Sequence, residues 1–273
     1  MKTIMKILRI IKYICRMILI RTYLKYLELH ITDHCNLKCN ACTHFSNICE
    51  ENIIDARMIE FRLIRLRKLF SFIRTLRILG GEPLLHPDII EILKYTRSLF
   101  PLSKIELSTN GLLLDKMSTE FFETCYKNKI SIYISRYSVI ENKLNKIKEK
   151  LSSYKINYYI SPLVISFSSN LNPTGNSDKN ETFRNCRHTS CPVLKEDNIY
   201  ICPISAYIDK YNKYFNKNIP EPKGINIYAS SGKQILEYLK TSEETCRYCT
   251  NVAKYVNWSC SNNPKETDWN GKI

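Results

Sequence analysis

Nowhere does this sequence run for the ~20 apolar residues that a membrane-spanning helix needs. A secretory signal is missing too: Lys6, Arg9, Lys12, Arg16 and Arg21 interrupt the hydrophobic N-terminus, and no small-residue cleavage site follows. Glycine is scarce, seven in 273 residues, which together with abundant Lys, Ile, Asn and Tyr fits an AT-rich coding sequence. Negative charge is short: 26 acidic residues face 41 Lys and Arg, a formal charge of +15. The first absence excludes a helical membrane-spanning protein, and the second makes a reducing cytoplasm the expected compartment. There, the 12 cysteines read as metal ligands, redox groups or packing residues and not as disulfides. A chain this long buries a core without staples. The excess of positive charge attracts anions of every class. Basic residues are scattered and not clustered beside aromatics, so no specific nucleic-acid partner is expected.

Three segments are expected. Residues 1–25 carry apolar residues at helical spacing over 4–24 with basic residues between them. Such a helix packs on the main domain or makes a peripheral membrane contact. Residues 26–167 alternate strands and helices of crossover length. Strands are expected at 26–31, 75–79, 104–111, 130–135 and 156–161. Helices fall between them, at 55–73 with Asp55 as a cap and at 87–100 among others. That alternation predicts an α/β fold with a parallel sheet or barrel, whose chemistry sits at the C-terminal ends of the strands. The cysteine loop, "GGEP", "STNG" and "SRY" all fall at such ends. Residues 168–273 begin with a polar linker over 168–180 and continue as a short, turn-rich region with a strand at "NIYICP" and a helix at "SGKQILEYL".

Two cysteine groups stand out. "DHCNLKCNACTHFS" holds Cys35, Cys39 and Cys42 at spacing C-x3-C-x2-C, without the fourth thiol of a closed tetrahedral site. In the C-terminal region, the Cys246–Cys249 pair and an upstream pair suggest four thiolates holding zinc or an iron–sulfur cluster. Cys15, Cys49 and Cys125 stand alone and read as packing residues.

"CNLKCNAC", "LGGEPLLHPDI" and "STNGLLL", in that order, resemble the radical S-adenosylmethionine (radical SAM) superfamily over roughly residues 26–165. The resemblance implies a partial (β/α)6 barrel in which Cys35, Cys39 and Cys42 hold three irons of a [4Fe-4S] cluster. The fourth iron is left to S-adenosylmethionine (SAM), whose reductive cleavage abstracts a hydrogen atom from substrate. It implies that Gly80, Gly81, Glu82 and Pro83 form the turn at the methionine ammonium, that Ser108 and Asn110 lie near the ribose or carboxylate, and that Arg136 pairs with the carboxylate. Many members carry an aromatic residue just before the third cysteine; this chain has Ala41, with Phe45 and His44 as substitutes for the adenine contact. The C-terminal region resembles the twitch form of the SPASM domain, with an auxiliary [4Fe-4S] cluster on Cys186, Cys202, Cys246 and Cys249. Cys191 is an alternative to Cys186.

The implied substrate is small and polar, anionic or carbohydrate. A sugar or cyclitol that is epimerised or oxidised ranks ahead of a peptide, because only 25 residues precede Tyr26, too few for an appended peptide-recognition domain. An external donor such as flavodoxin or ferredoxin would supply the electron. Cys191 and Cys260 are candidate hydrogen donors in an epimerisation. A non-catalytic metal-binding scaffold would require the GGEP and STNG turns to be accidental.

Overall fold

β1, Tyr23–His30, is the hub of the fold: it pairs with β2, Phe72–Leu79, on one side and with β7, Val193–Lys195, on the other, parallel to both. The computed structural model describes residues 22–272 together with Ile11 and Cys15. The helix expected over residues 4–24 therefore falls almost wholly outside the described residues. Beyond β2 the sheet continues through β3 (Lys104–Thr109), β4 (Ile130–Ile134) and β5 (Tyr158–Ile160), all parallel. Beyond β7 come β8 (Asn198–Tyr200) and β9 (Ile225–Asn226), both joined antiparallel. The order is β5-β4-β3-β2-β1-β7-β8-β9.

Register sets the core. Leu27, Leu76, Ile105 and Ile130 form one row across the sheet, and Leu29, Ile78, Leu107 and Ile132 form the next. All eight are buried, each stabilising the fold by about 1.5–3 kcal/mol. The connecting helices cover them. α1 (Ala56–Leu69) buries Ile59, Leu63 and Leu66, and α2 (Ile89–Leu99) buries Ile92 and Leu93. α3 (Thr119–Lys127) buries Phe121 and Phe122, and α4 (Leu144–Ser153) buries Ile147 and Leu151. Asp55 caps α1 as expected, accepting from the backbone N–H groups of Arg57 and Met58 at 2.9 and 3.2 Å. The helix stops at Leu69, short of the expected residue 73, because Phe72 and Ile73 pair with β1.

The C-terminal region differs from the expectation in two ways. The sheet does not end near residue 167, since β7, β8 and β9 extend it. Nor is the stretch after 167 purely a linker: β6, Ser166–Leu171, pairs antiparallel with β10, Cys249–Asn257. That partner lies some eighty residues downstream, and no local pattern announces it. α5 (Lys179–Asn185), α6 (Pro203–Phe215) and α7 (Gly232–Tyr238) complete the chain. α6 carries Pro203 in its first turn, where no backbone donor is lost. It anchors a second core in which Tyr211, Phe215, Phe45 and Trp269 meet.

Candidate active site

The C-terminal ends of β1, β2 and β3 open onto one cavity of about 240 Å³. Cys35, Cys39 and Cys42 line it, with Gly80, Gly81, Ser108 and Asn110. The glycines are there for contact. A Cβ on Gly80 would run into the Thr32 carbonyl, and one on Gly81 into the His34 carbonyl. Two backbone hydrogen bonds lock this approach: Gly81 N donates to Thr32 O at 2.7 Å, and Glu82 N to His34 O at 2.8 Å. The GG turn thus holds the start of the cysteine loop directly. That loop has its own strained points, with Ala41 at φ 59° and Phe45 at φ 53°. Each costs about 1–2 kcal/mol for an L-residue, and the surrounding core pays it back.

Glu82 is wholly buried and does not line the cavity. It accepts from Leu84 N at 3.1 Å, Thr109 Oγ1 at 2.7 Å and Asn110 N at 2.8 Å. The resemblance sets this side chain at a ligand ammonium; in the structure it joins the GGEP turn to the STNG turn. Burial pushes it up to about 7 even though those three donors favour the ionised form. Asn110 spans further, donating from Nδ2 to Asn36 Oδ1 at 2.7 Å and accepting from Leu112 N at 3.0 Å. Pro83 opens a single 3-10 turn over Pro83–Leu85.

Arg136 does not line the cavity. It grips Glu141 with two bonds of 2.7 Å on a half-exposed surface. Its neighbour Tyr137 lines the cavity instead, stacked on Trp258 with ring centroids 5.0 Å apart. Of the two aromatic substitutes, His44 lines the cavity, whereas Phe45 is buried against Trp269 and Tyr211.

The thiols differ in readiness. Burial pushes Cys35 up to about 12, and burial followed by the neighbouring Cys42 raises Cys39. Burial also works against the Cys42 thiolate, but the His44 ring and the backbone N–H groups of Ser46 and His44 outweigh it and hold Cys42 below its ordinary value. A metal binding here must displace protons from the first two thiols.

Late residues finish the cysteine loop; of them the sequence singled out Cys260 alone, as a hydrogen donor and not as a partner of this loop. Cys39 pairs with Cys260 in an antiparallel bridge, flanked by Asn40 N to Ser259 O and Ser261 N to Lys38 O, both 2.9 Å. The Trp258 indole N–H donates to Cys39 Sγ at 3.3 Å, and the Trp269 indole N–H to Cys42 O at 2.9 Å. No spacing rule could have found them, since each lies more than two hundred residues from its cysteine.

A second, smaller cavity of about 30 Å³ gathers Cys186, Cys202, Cys246 and Cys249, with His188 and Glu243. Cys202 is the N-cap of α6, its sulfur accepting from Ser205 N at 3.3 Å. Cys191 lies outside this lining, and neither Cys191 nor Cys260 lines the large cavity.

Residues 29–155 match the family model of the Radical SAM superfamily. The chain carries a radical SAM domain. The family implies a [4Fe-4S] cluster and SAM, and the site fits both: among the described residues three thiols line the cavity, and a single Cβ would break its glycine wall. Among curated relatives, a GTP 3',8-cyclase of Peptoclostridium acidaminophilum is 31% identical over 140 residues, 47% of this chain and 43% of its own. One from Clostridium acetobutylicum is 37% identical over 97 residues, 35% and 30% of the two chains. The chain thus spans less than half of the length of these curated relatives. Among solved structures, BtrN in complex with AdoMet and 2-DOIA is 18% identical with a TM-score of 0.49, covering 81% of this chain and 84% of that one. Streptococcus suis SuiB bound to S-adenosylmethionine is 24% identical with a TM-score of 0.42, covering 51% and 34%. Among the described residues no helix is long and apolar enough to cross a membrane.

Proposed function

We propose that this chain is a radical SAM enzyme acting on a small, hydroxyl-rich substrate of the sugar or cyclitol type. The observation that carries the reading is the shared cavity: three cysteines, a paired-glycine wall and the Ser108–Asn110 turn converge on it. Cys35, Cys39 and Cys42 would hold the cluster; Gly80, Gly81, Ser108 and Asn110 would seat SAM. Bound together, these cofactors supply reductive cleavage of the sulfonium and abstraction of a hydrogen atom from substrate. The protein's part is to fix that geometry and exclude water. Glu82 holds two cavity turns in register, and Tyr137 lines the cavity with Trp258 stacked on it and bonded to Cys39.

The cavity lining favours a neutral polyol over a nucleoside triphosphate. Apart from the residues assigned to SAM, among the described residues it offers hydroxyls from Thr43, Ser46, Ser135 and Ser168, and no Lys or Arg. Triphosphate recognition calls for those cations. Cys186, Cys202, Cys246 and Cys249 would hold an auxiliary [4Fe-4S] cluster in a twitch-like region, closed by four protein thiolates and suited to passing an electron.

The test is anaerobic. Reconstituted protein should hold about eight irons per chain and form 5′-deoxyadenosine with a reduced flavodoxin. Replacing Cys35, Cys39 and Cys42 with Ala should abolish 5′-deoxyadenosine and leave about four irons; continued cleavage would overturn the cluster assignment. Zinc in place of the second four irons would reduce the C-terminal site to a structural knuckle. Mass spectrometry of incubations with sugars, cyclitols and nucleoside triphosphates decides the substrate class. A Ser variant of Cys191 or Cys260 that still makes 5′-deoxyadenosine but loses an epimerised product would identify the hydrogen donor.

A further inference from the structure

Glu28 and His30 stand two residues apart on β1 and so share one face of the strand. His44 reaches the same point from the cysteine loop. Each presents one donor atom, Glu28 Oε2, His30 Nε2 and His44 Nε2, all within 4.8 Å of one another. His30 Nε2 is 3.9 Å from Glu28 Oε2, and His44 Nε2 is 3.7 Å from the same oxygen. Both separations are too long for a hydrogen bond. All three atoms are shut off from solvent, and none has a hydrogen-bond partner.

Folded interiors pair nearly every buried polar atom, and each one left unpaired costs about 1–3 kcal/mol. Three unpaired atoms at one point, one of them on a carboxylate, need a common partner. Two ligands ~2.1 Å from one ion at the tetrahedral angle stand roughly 3.4 Å apart. The two separations from Glu28 Oε2 close to that value with shifts of a few tenths of an ångström, and the two imidazole nitrogens, within 4.8 Å of each other, come closer as well.

We propose that Glu28, His30 and His44 form a mononuclear site for a divalent transition-metal ion, with two imidazoles and one carboxylate as ligands. Donors of this type suit zinc or iron(II) and leave at least one coordination position open. The surroundings hold the ligands as metal sites do. The Tyr26 hydroxyl donates to the other Glu28 oxygen at 2.8 Å. The His30 ring lies between His44 and Tyr207, with centroids 4.7 and 4.9 Å away. His44 also lines the large cavity, so the ion would sit one ring behind the wall. The inference rests on these three residues and not on the iron–sulfur reading.

The test uses the full chain with its iron–sulfur clusters reconstituted, incubated with zinc chloride and desalted. One zinc per chain should remain. Its X-ray absorption edge should fit nitrogen and oxygen ligands alone, at ~2.0–2.1 Å. Glu28→Gln, nearly the same shape, should cut retained zinc at least tenfold while iron content and melting temperature hold. The wild-type spectrum decides even where a variant misfolds. Sulfur at ~2.3 Å in the zinc shell would mean that a thiol site took the metal. No retained zinc would mean that a proton or a water fills the gap. Either result, or full zinc retention in Glu28→Gln, overturns the proposal. Zinc held by nitrogen and oxygen in protein that does not cleave SAM would leave this site standing and remove the proposed function.

Discussion

Glu82 shows how one buried side chain can join the turns around a cavity that it does not line. Its carboxylate accepts from Thr109 and Asn110 on one turn and from Leu84 on another. Glu82→Gln keeps the shape but aims an amide donor at one of these donors, and should cost about 1–3 kcal/mol at pH 5, measured by chemical denaturation. The pH dependence has a definite sign. Burial places the folded pKa at about 7, above the ordinary 4.5. The folded chain therefore keeps a proton that the unfolded chain releases. This contribution to stability is complete below pH 4.5 and is lost as pH rises through 7. Wild-type stability should fall relative to Glu82→Gln across that window; parallel pH curves would dismiss the role. Trp258 offers a second single-residue test. Trp258→Phe keeps a ring on Tyr137 but removes the N–H donor to Cys39. With the cluster in place, loss of a donor to a ligating sulfur should lower the midpoint potential by tens of millivolts, read by redox titration followed with electron paramagnetic resonance.

At the scale of elements, the site is a contact between turns. Gly81→Ala forces a methyl group against the His34 carbonyl. It should cost about 1–3 kcal/mol as overpacking and weaken SAM binding by at least tenfold in equilibrium dialysis, whereas a similar change on the exposed face of α4 should leave binding unchanged. The GGEP turn, the cysteine loop and the STNG turn were legible in the sequence because each is short and carries its own chemistry. So were the five parallel strands, whose β-branched runs alternate with helices. Arg136 was misleading: its place after β4 suggests the cavity, but Glu141, five residues on in a 3-10 turn, captures it. The ribbon of β6 and β10 and the indole bonds from Trp258 and Trp269 to the cysteine loop could not be read, because their partners are distant in sequence and their residues carry no periodic signal. Glu28 and His30 were hidden for a different reason. In a strand buried on both faces at its end, they look like ordinary alternation.

For the whole molecule, the excess of positive charge bears on how electrons arrive. Flavodoxins and ferredoxins are acidic, so a chain of formal charge +15 should attract them over distance. Raising ionic strength from about 0.01 to 0.15 M shortens the screening length from ~30 to ~8 Å. SAM cleavage driven by limiting flavodoxin should slow several-fold over that range. Cleavage at saturating flavodoxin should change little, and equal slowing in both regimes would place the salt effect on the active site itself.

The bond between Trp258 and Cys39 also orders events in time. The two residues are 219 positions apart, so at ~5–20 residues per second a ribosome needs on the order of ten to forty seconds to make one after the other. Throughout that interval the parallel strands can fold while the thiols of the early loop stay uncovered on one side. Iron delivered then would meet a loop uncovered on that side; iron delivered afterwards would reach the thiols through the cavity that they line. A pause placed between the two codons would lengthen the open period without altering a single amino acid.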